Sequence, residues 1–224
     1  MPRSHDLVGL TVLAMLSVRD GHPYQLQRFI VETHKDYVTG LPRSLYHAVE
    51  RLTRDELIAP AETLREGHRP ERTVYRITDE GRAQLAARLR SLIEVPELDR
   101  RTFVAAVSLL GCLPAAAARA ALRTRAATIS GAVTALTGQL AALQDEGLPA
   151  VLLLELEYER AVQQAELDWI GTVLERIERG ELDWSGSVRN DLLDEVLGEP
   201  SATTAPTTET PTAEPSGTQP RRNS

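Results

Sequence analysis

The chain has a single cysteine, Cys112, in 224 residues, which excludes an internal disulfide and any multi-cysteine metal site. No basic-then-apolar signal pattern and no uninterrupted apolar run near eighteen residues is present, so a soluble cytoplasmic protein with no membrane partner is expected. The five histidines have no histidine partner three or four residues away, and no glycine-rich phosphate loop, nucleophile elbow or HExxH occurs. The expectation is therefore no enzyme: no catalytic residue, no metal site and no cofactor. Lysine is almost missing, since Lys35 is the only one among 25 basic residues. Arginine suits bidentate contacts to phosphate and guanine, although a GC-rich genome yields the same bias.

What is present is unevenly distributed. The formal net charge of -7 argues at first against nucleic acid, yet residues 1–95 carry 14 Arg or Lys against 13 Asp or Glu, while residues 96–224 carry 11 against 19. All five histidines lie in the first part. The acid belongs to the C-terminal half, and the two halves read as built for different tasks. A 42% hydrophobic content is ample for real cores.

Hydrophobic periodicity orders the first half. DLVGLTVLAMLSV opens on Asp6 as an N-cap and carries Leu7, Leu10, Leu13 and Leu16 near helical spacing until Asp20-Gly21. Pro23 can begin a second helix with Leu26, Phe29 and Ile30 inward. After Thr39-Gly40, Pro42 starts a third, whose Leu45, Val49 and Leu52 fall at i, i+4 and i+7 and leave Arg43, Ser44, His47, Arg51 and Arg54 on other faces. Leu57-Ile58 and ERTVYRIT (71–78) read as two strands around a REGHRP turn, and Thr78 caps a fourth helix with Asp79 and Glu80 in its first turn. Three helices, a strand pair with a basic loop and a further helix form a winged helix-turn-helix order.

The second half repeats a different pattern. Leu122, Ala126, Ile129, Val133, Leu136, Leu140 and Leu143 alternate in steps of four and three, a heptad seam that wants a partner helix. One candidate is the stretch 150–179, where Leu154, Tyr158, Val162, Ala165, Trp169, Val173 and Ile177 keep similar spacing; a shorter helix near 98–110 precedes both. No linker rich in glycine or proline parts the halves, so a rigid junction is expected. From Glu199 only small and polar residues remain, read as a disordered Pro/Thr-rich tail. The fold class is thus mainly α. It divides into an N-terminal winged helix with a small β wing (1–95), a helical, coiled-coil-like dimerisation domain (96–198) and the tail (199–224).

The phrases HPYQLQRFI, SLYHAVERLTRDELI, VYRITDEGRAQL and LEYERAVQQAELDWI resemble, in order and spacing, the PadR-type transcriptional regulators, over most of residues 7–180. The last phrase, with Trp169, matches the type with the longer helical C-terminal domain. Three positions depart from the family's usual glycine. Pro23 is acceptable at a helix start. Arg43 adds a cation where the third helix enters DNA in such folds. Glu56 stands where a glycine ends that helix, and would cost about 1 kcal/mol if held at positive φ.

The resemblance implies a homodimeric, sequence-specific repressor of the PadR family, bound to double-stranded operator DNA and released by a small-molecule effector. Candidate DNA contacts are Tyr24, Arg43, Ser44, His47 and Arg51, with Arg65, His68, Arg69 and Arg72 in the wing, where a solvated loop is the plain alternative. Tyr46, beside the apolar stripe, is read as core. Candidate dimerisation residues are Leu122, Ile129, Val133, Leu136, Leu140, Leu154, Tyr158, Trp169 and Val173. Trp169 and Trp184 could line a pocket for a flat aromatic effector; the default for Trp169 is packing at the dimer interface, and Trp184 receives no role. The rival reading is a protein-interaction module that keeps the fold without binding DNA, supported by the near-neutral charge of residues 1–95.

Overall fold

The structure, a computed structural model, describes the backbone of residues 6–35, 37–64, 72–96 and 99–184, and their side chains apart from those of 62–64 and 72. The elements run α1 (Leu7–Val18), α2 (Pro23–Glu32), α3 (Arg43–Arg54), β1 (Ile58–Leu64), β2 (Arg72–Ile77), α4 (Asp79–Glu94), α5 (Arg100–Ser108), α6 (Ala115–Asp145) and α7 (Leu154–Glu178). One-turn 3-10 helices lie at Leu110–Cys112 and Ala150–Leu152. This is the mainly α, winged-helix order expected from the periodicity.

α1 is apolar on every side because it is enclosed on every side. Leu10, Val12, Leu13 and Leu16 are all buried, and the helix packs against α3, α4 and β2. Asp6 caps it, accepting the Gly9 N–H at 2.9 Å. Such a cap is worth about 1 kcal/mol and fixes where the helix starts. Burial at about 2 kcal/mol per leucine holds it in place.

Thr78-Asp79-Glu80-Gly81 has a geometric reason. The Thr78 hydroxyl accepts the Gly81 N–H at 3.0 Å and donates to the Glu56 carbonyl at 2.9 Å, tying the start of α4 to the end of α3. A Cβ on Gly81 would lie 2.0 Å from the Leu57 carbonyl oxygen, so only glycine lets α4 approach the entry to β1. β1 and β2 are antiparallel, with Ile58 opposite Ile77 and a shift of register between Pro60 and Glu62. Gly21 exchanges two backbone hydrogen bonds of 3.0 Å with Tyr75, lending the ribbon a third edge from the α1–α2 loop. β1 runs six residues beyond the Leu57-Ile58 pair read from sequence, as pairing with β2 carries it through Pro60.

α6 starts earlier than the seam suggested, at Ala115, and runs 31 residues. By length and composition it could cross a membrane, which the run-length reading of the sequence did not anticipate, because interspersed Thr, Gly and Gln leave it apolar on average without a pure run. It packs instead on α4 and antiparallel to α7. At the junction of the halves Arg125 of α6 is 2% exposed. Its guanidinium meets Glu166 of α7 at 2.5 Å, donates to the Ile93 and Val95 carbonyls closing α4 at 3.3 and 3.0 Å, and lies 3.7 Å over the Phe103 ring of α5. Four elements converge on one cation, and the buried apolar cluster runs from α1 through α4 into α6 and α7 without interruption.

Candidate nucleic-acid interface

The outward face of α3 follows from its inward one. Leu45, Ala48, Val49 and Leu52 are buried, which turns Arg43, His47, Glu50 and Arg54, spaced i, i+4, i+7 and i+11, to solvent together with Tyr46. Arg43 Nε donates to His47 Nε2 at 3.3 Å, and His47 Nδ1 lies 3.6 Å from Glu50. Ser44 is partly withdrawn, its hydroxyl donating to the Thr39 carbonyl at 2.8 Å and closing the turn that delivers the helix. Tyr24 sits in the first turn of α2, 61% exposed. There the His22 ring accepts the Tyr24 N–H at 3.1 Å and Gln25 accepts the His22 N–H at 3.0 Å, a reciprocal cap that fixes the tyrosine's position.

Two readings of α3 are corrected. Tyr46 is 45% exposed, not core: it lies one residue past Leu45, on the flank of the stripe, and belongs to the open face. Arg51 is half-buried and paired with Asp6, so its charge is answered by the N-cap of α1 and it joins the two helices. Tyr46 and Glu50 are face residues that the sequence does not assign to this side, and Arg54, placed off the stripe, is not named as a contact. Their signal was available as the complement of the buried stripe. Of the wing residues, Arg65, His68 and Arg69 and the side chain of Arg72 lie outside the described residues, as does the tail.

The second half sorts its apolar residues differently from the expected seam. Leu122, Ile129 and Leu140 are 0%, 4% and 4% exposed within the single chain, as is Val173 at 6%. They are used in the chain's own packing and are not partner-facing, a correction to their assignment as dimer contacts. Val133 and Leu136 are half-buried. The series Leu154, Tyr158, Val162 and Trp169 lies on the outside of α7, at 55%, 72%, 39% and 40% exposure, continued by Val151 and Leu152 at 69% and 61%. Trp169 meets Phe103 edge-on at 6.0 Å. Trp184, without a role in the sequence reading, donates its indole N–H to the Leu113 carbonyl at 2.7 Å and ties the end of α7 to the start of α6. The tryptophans thus serve separate contacts.

Among the described residues no group of His, Cys, Asp and Glu could hold a metal ion. Cys112 is half-buried.

Residues 12–87 match the model of the transcriptional regulator PadR-like family, a span from α1 to the middle of α4 that includes the whole outward face of α3. No curated protein matches the chain. Solved structures to which the chain is similar include Bacillus subtilis PadR in complex with operator DNA, 18% identical over 75% of this chain and 98% of that one, with a TM-score of 0.35. Another is smu.1604c from Streptococcus mutans UA159, at 18% identity, 75% and 98% coverage and a TM-score of 0.36. A third is Bacillus subtilis PadR in complex with p-coumaric acid, at 16% identity, 77% and 96% coverage and a TM-score of 0.34.

Proposed function

By its winged-helix half the chain is a member of the transcriptional regulator PadR-like family, and on that premise we propose that it is a homodimeric repressor that reads operator DNA through α3 and is released by a small-molecule effector. The observation that carries DNA reading is the open face of α3. Arg43, Tyr46, His47 and Arg54 stand clear of the core at the helix that enters the major groove in helix-turn-helix proteins. Arg43 and His47 lie on its first two turns, within reach of base edges, while Ser44 and the exposed Tyr24 hydroxyl suit phosphate. Arg65, His68, Arg69 and Arg72 would add phosphate contacts from the wing.

The dimer is supported by the uncovered apolar stripe on α7. Leu154, Tyr158, Val162 and Trp169 form a continuous helical row that water would otherwise cover, and a second copy of the same row is the self-complementary partner a two-fold axis supplies. Two α3 helices held about 34 Å apart would meet successive major grooves on one face of the duplex. An effector that altered that spacing would release the DNA.

The competing reading, an interaction module that has lost DNA binding, draws on Glu50 in the middle of the α3 face and on the neutralised Arg51. A mobility-shift titration on the DNA upstream of the protein's own gene, repeated at several salt concentrations, separates the two. A regulator gives a shift whose affinity falls steeply with salt. No shift at low salt leaves only the interaction module.

A further inference from the structure

One residue on the outward face of α3 carries the same sign as DNA. Glu50 stands in the middle of that face, its side chain 69% exposed, with Arg43 and His47 before it and Arg54 one turn further on. Phosphate charge lines both edges of a groove, so a carboxylate there is repelled by every duplex the helix enters. Nor does Glu50 serve as half of a strong surface pair. A Glu followed four residues later by Arg is the favourable helical order, yet among the described residues Glu50 forms no ion pair with Arg54. Its partner is the His47 ring, with Nδ1 at 3.6 Å.

Hydrogen-bond polarity along the face is ordered. Arg43 Nε donates to His47 Nε2 at 3.3 Å, so a neutral His47 ring carries its proton on Nδ1, the atom on the side of Glu50. Arg43 keeps its two terminal nitrogens as donors, and an ionised Glu50 only accepts. The face therefore donates at its N-terminal end and accepts about 10.5 Å further along the axis, at 1.5 Å per residue. In zinc fingers, side chains about one turn apart contact successive bases, and Arg43, His47 and Glu50 keep that spacing. Two base edges in the major groove match the two ends. Guanine presents the acceptors N7 and O6, which a guanidinium fork fits, and cytosine presents an N4 amino donor. Adenine also has an amino group, but its N7 acceptor lies beside it and repels a carboxylate.

We propose that Glu50 determines sequence specificity: its carboxylate accepts from the N4 amino group of a cytosine in each operator half-site, about two or three base pairs from a guanine read by Arg43. The inference rests on the DNA-binding reading above and gives Glu50 the opposite meaning from a lost site. Its charge weakens binding to DNA in general, and the loss is offset at one base only.

Selection of the full chain on a pool of randomised duplexes, followed by mobility shifts on the selected site with single base pairs exchanged, tests the assignment for the parent, Glu50→Gln and Glu50→Ala. The parent's half-sites should share a cytosine whose exchange for thymine lowers affinity roughly tenfold or more, the scale of one good base contact. Glu50→Gln should give up cytosine at that position alone in favour of adenine, which a carboxamide meets with one donor and one acceptor. Glu50→Ala should accept all four bases there within about threefold and bind unrelated duplexes more tightly, since a repelling charge is gone. Selected half-sites without such a cytosine, or a variant that keeps the parent's preference at that position, would overturn the inference and leave the DNA-binding reading in place. So would a Glu50→Ala protein weakened equally on every duplex, which would make the carboxylate a support for His47 and Arg43. If the parent selects no sequence and shifts no duplex at low salt, the DNA-binding reading itself has failed and this inference falls with it.

Discussion

The two halves finish their helices in different ways. α2, α3, α6 and α7 each end in the same motif, in which a residue in the left-handed region turns the chain and two backward N–H bonds cover the last carbonyls. In the helical half that residue is glycine, Gly147 at φ 82° and Gly180 at φ 69°. In the winged half it is His34 at φ 48° and Glu56 at φ 57°. The interiors contrast in the opposite sense. The winged half encloses α1 completely, whereas α6 and α7 bury one row of side chains against each other and leave Tyr158 and Trp169 to solvent. The first half accepts strained turns because its core over-determines them. The second has relaxed turns and an apolar row left open, the surface on which the proposed dimer would close.

The contrast is tested most severely at the junction. Arg125 is buried and its counter-ion Glu166 is partly exposed, and taking away Glu166 leaves the guanidinium inside without its counter-ion. We expect Glu166→Leu to lower stability by about 3 kcal/mol, moderated by the carbonyl bonds that Arg125 keeps. Arg51→Met, at the half-exposed pair with Asp6, should cost no more than about 1 kcal/mol. Urea midpoints for the two variants compare them directly, and equal losses would remove the distinction. Next in size is the open apolar row. Tyr158→Asp with Trp169→Asp should turn a dimer into a monomer by sedimentation and lower operator affinity roughly a hundredfold, since the second DNA contact ceases to be intramolecular. A double variant that remains dimeric would move the interface off α7.

Most of the winged half was legible because its signals are local. Asp6, Thr78 and Gly81 announce helix starts by chemistry, and Leu45, Val49 and Leu52 define a face by spacing alone. Even the strain at Glu56 could be read, from a glycine position filled by another residue. The helical half was less legible for a geometric reason. On α7 the series Leu154, Tyr158, Val162, Ala165 and Trp169 and the series Leu153, Leu156, Leu167, Ile170 and Leu174 both keep helical spacing. Periodicity finds both rows but does not say which one faces the chain's own α6. Tyr46 was misjudged similarly: an aromatic one step from an apolar stripe is compatible with either side, and only the fixed rotation of α3 against α1 turns it outward. Arg51 required a partner 45 residues away, which no local pattern contains.

Within the winged half, the open and engaged cations of α3 give the next comparison. Arg43→Ala with His47→Ala removes side chains that touch nothing in the core, so the fold should persist. Operator affinity should fall at least tenfold, about 1.4 kcal/mol, the scale of one lost base contact. Measured in the same mobility shift, Arg51→Met should change affinity less than threefold, because that guanidinium is already held by Asp6. If the order of the two effects is reversed, the reading face lies on the other side of α3.

The smallest effect isolates the helix ends themselves. Glu56 is exposed and held at φ 57°, with Leu57 N–H bonded to the Leu52 carbonyl at 2.9 Å and its own N–H to the Thr53 carbonyl at 3.1 Å. Glycine adopts that backbone without a Cβ penalty. Glu56→Gly also removes a carboxylate from the negative end of α3, a further small gain. Against these stands the greater freedom of glycine in the unfolded chain, which offsets part of the benefit. The net expectation is a gain of about 1 kcal/mol, or a melting temperature higher by roughly 2 to 4 °C for a chain of this size. Gly147→Ala is the mirror experiment in the helical half. Nothing lies within 4 Å of a Cβ built there, so its loss, also about 1 kcal/mol, would come from backbone strain alone. Equal and opposite shifts would show that the halves differ in how their helices are closed and not in how tightly those ends are packed. A Glu56→Gly protein that melts lower than its parent would mean that the glutamate side chain supports the turn through a contact stronger than the strain it imposes.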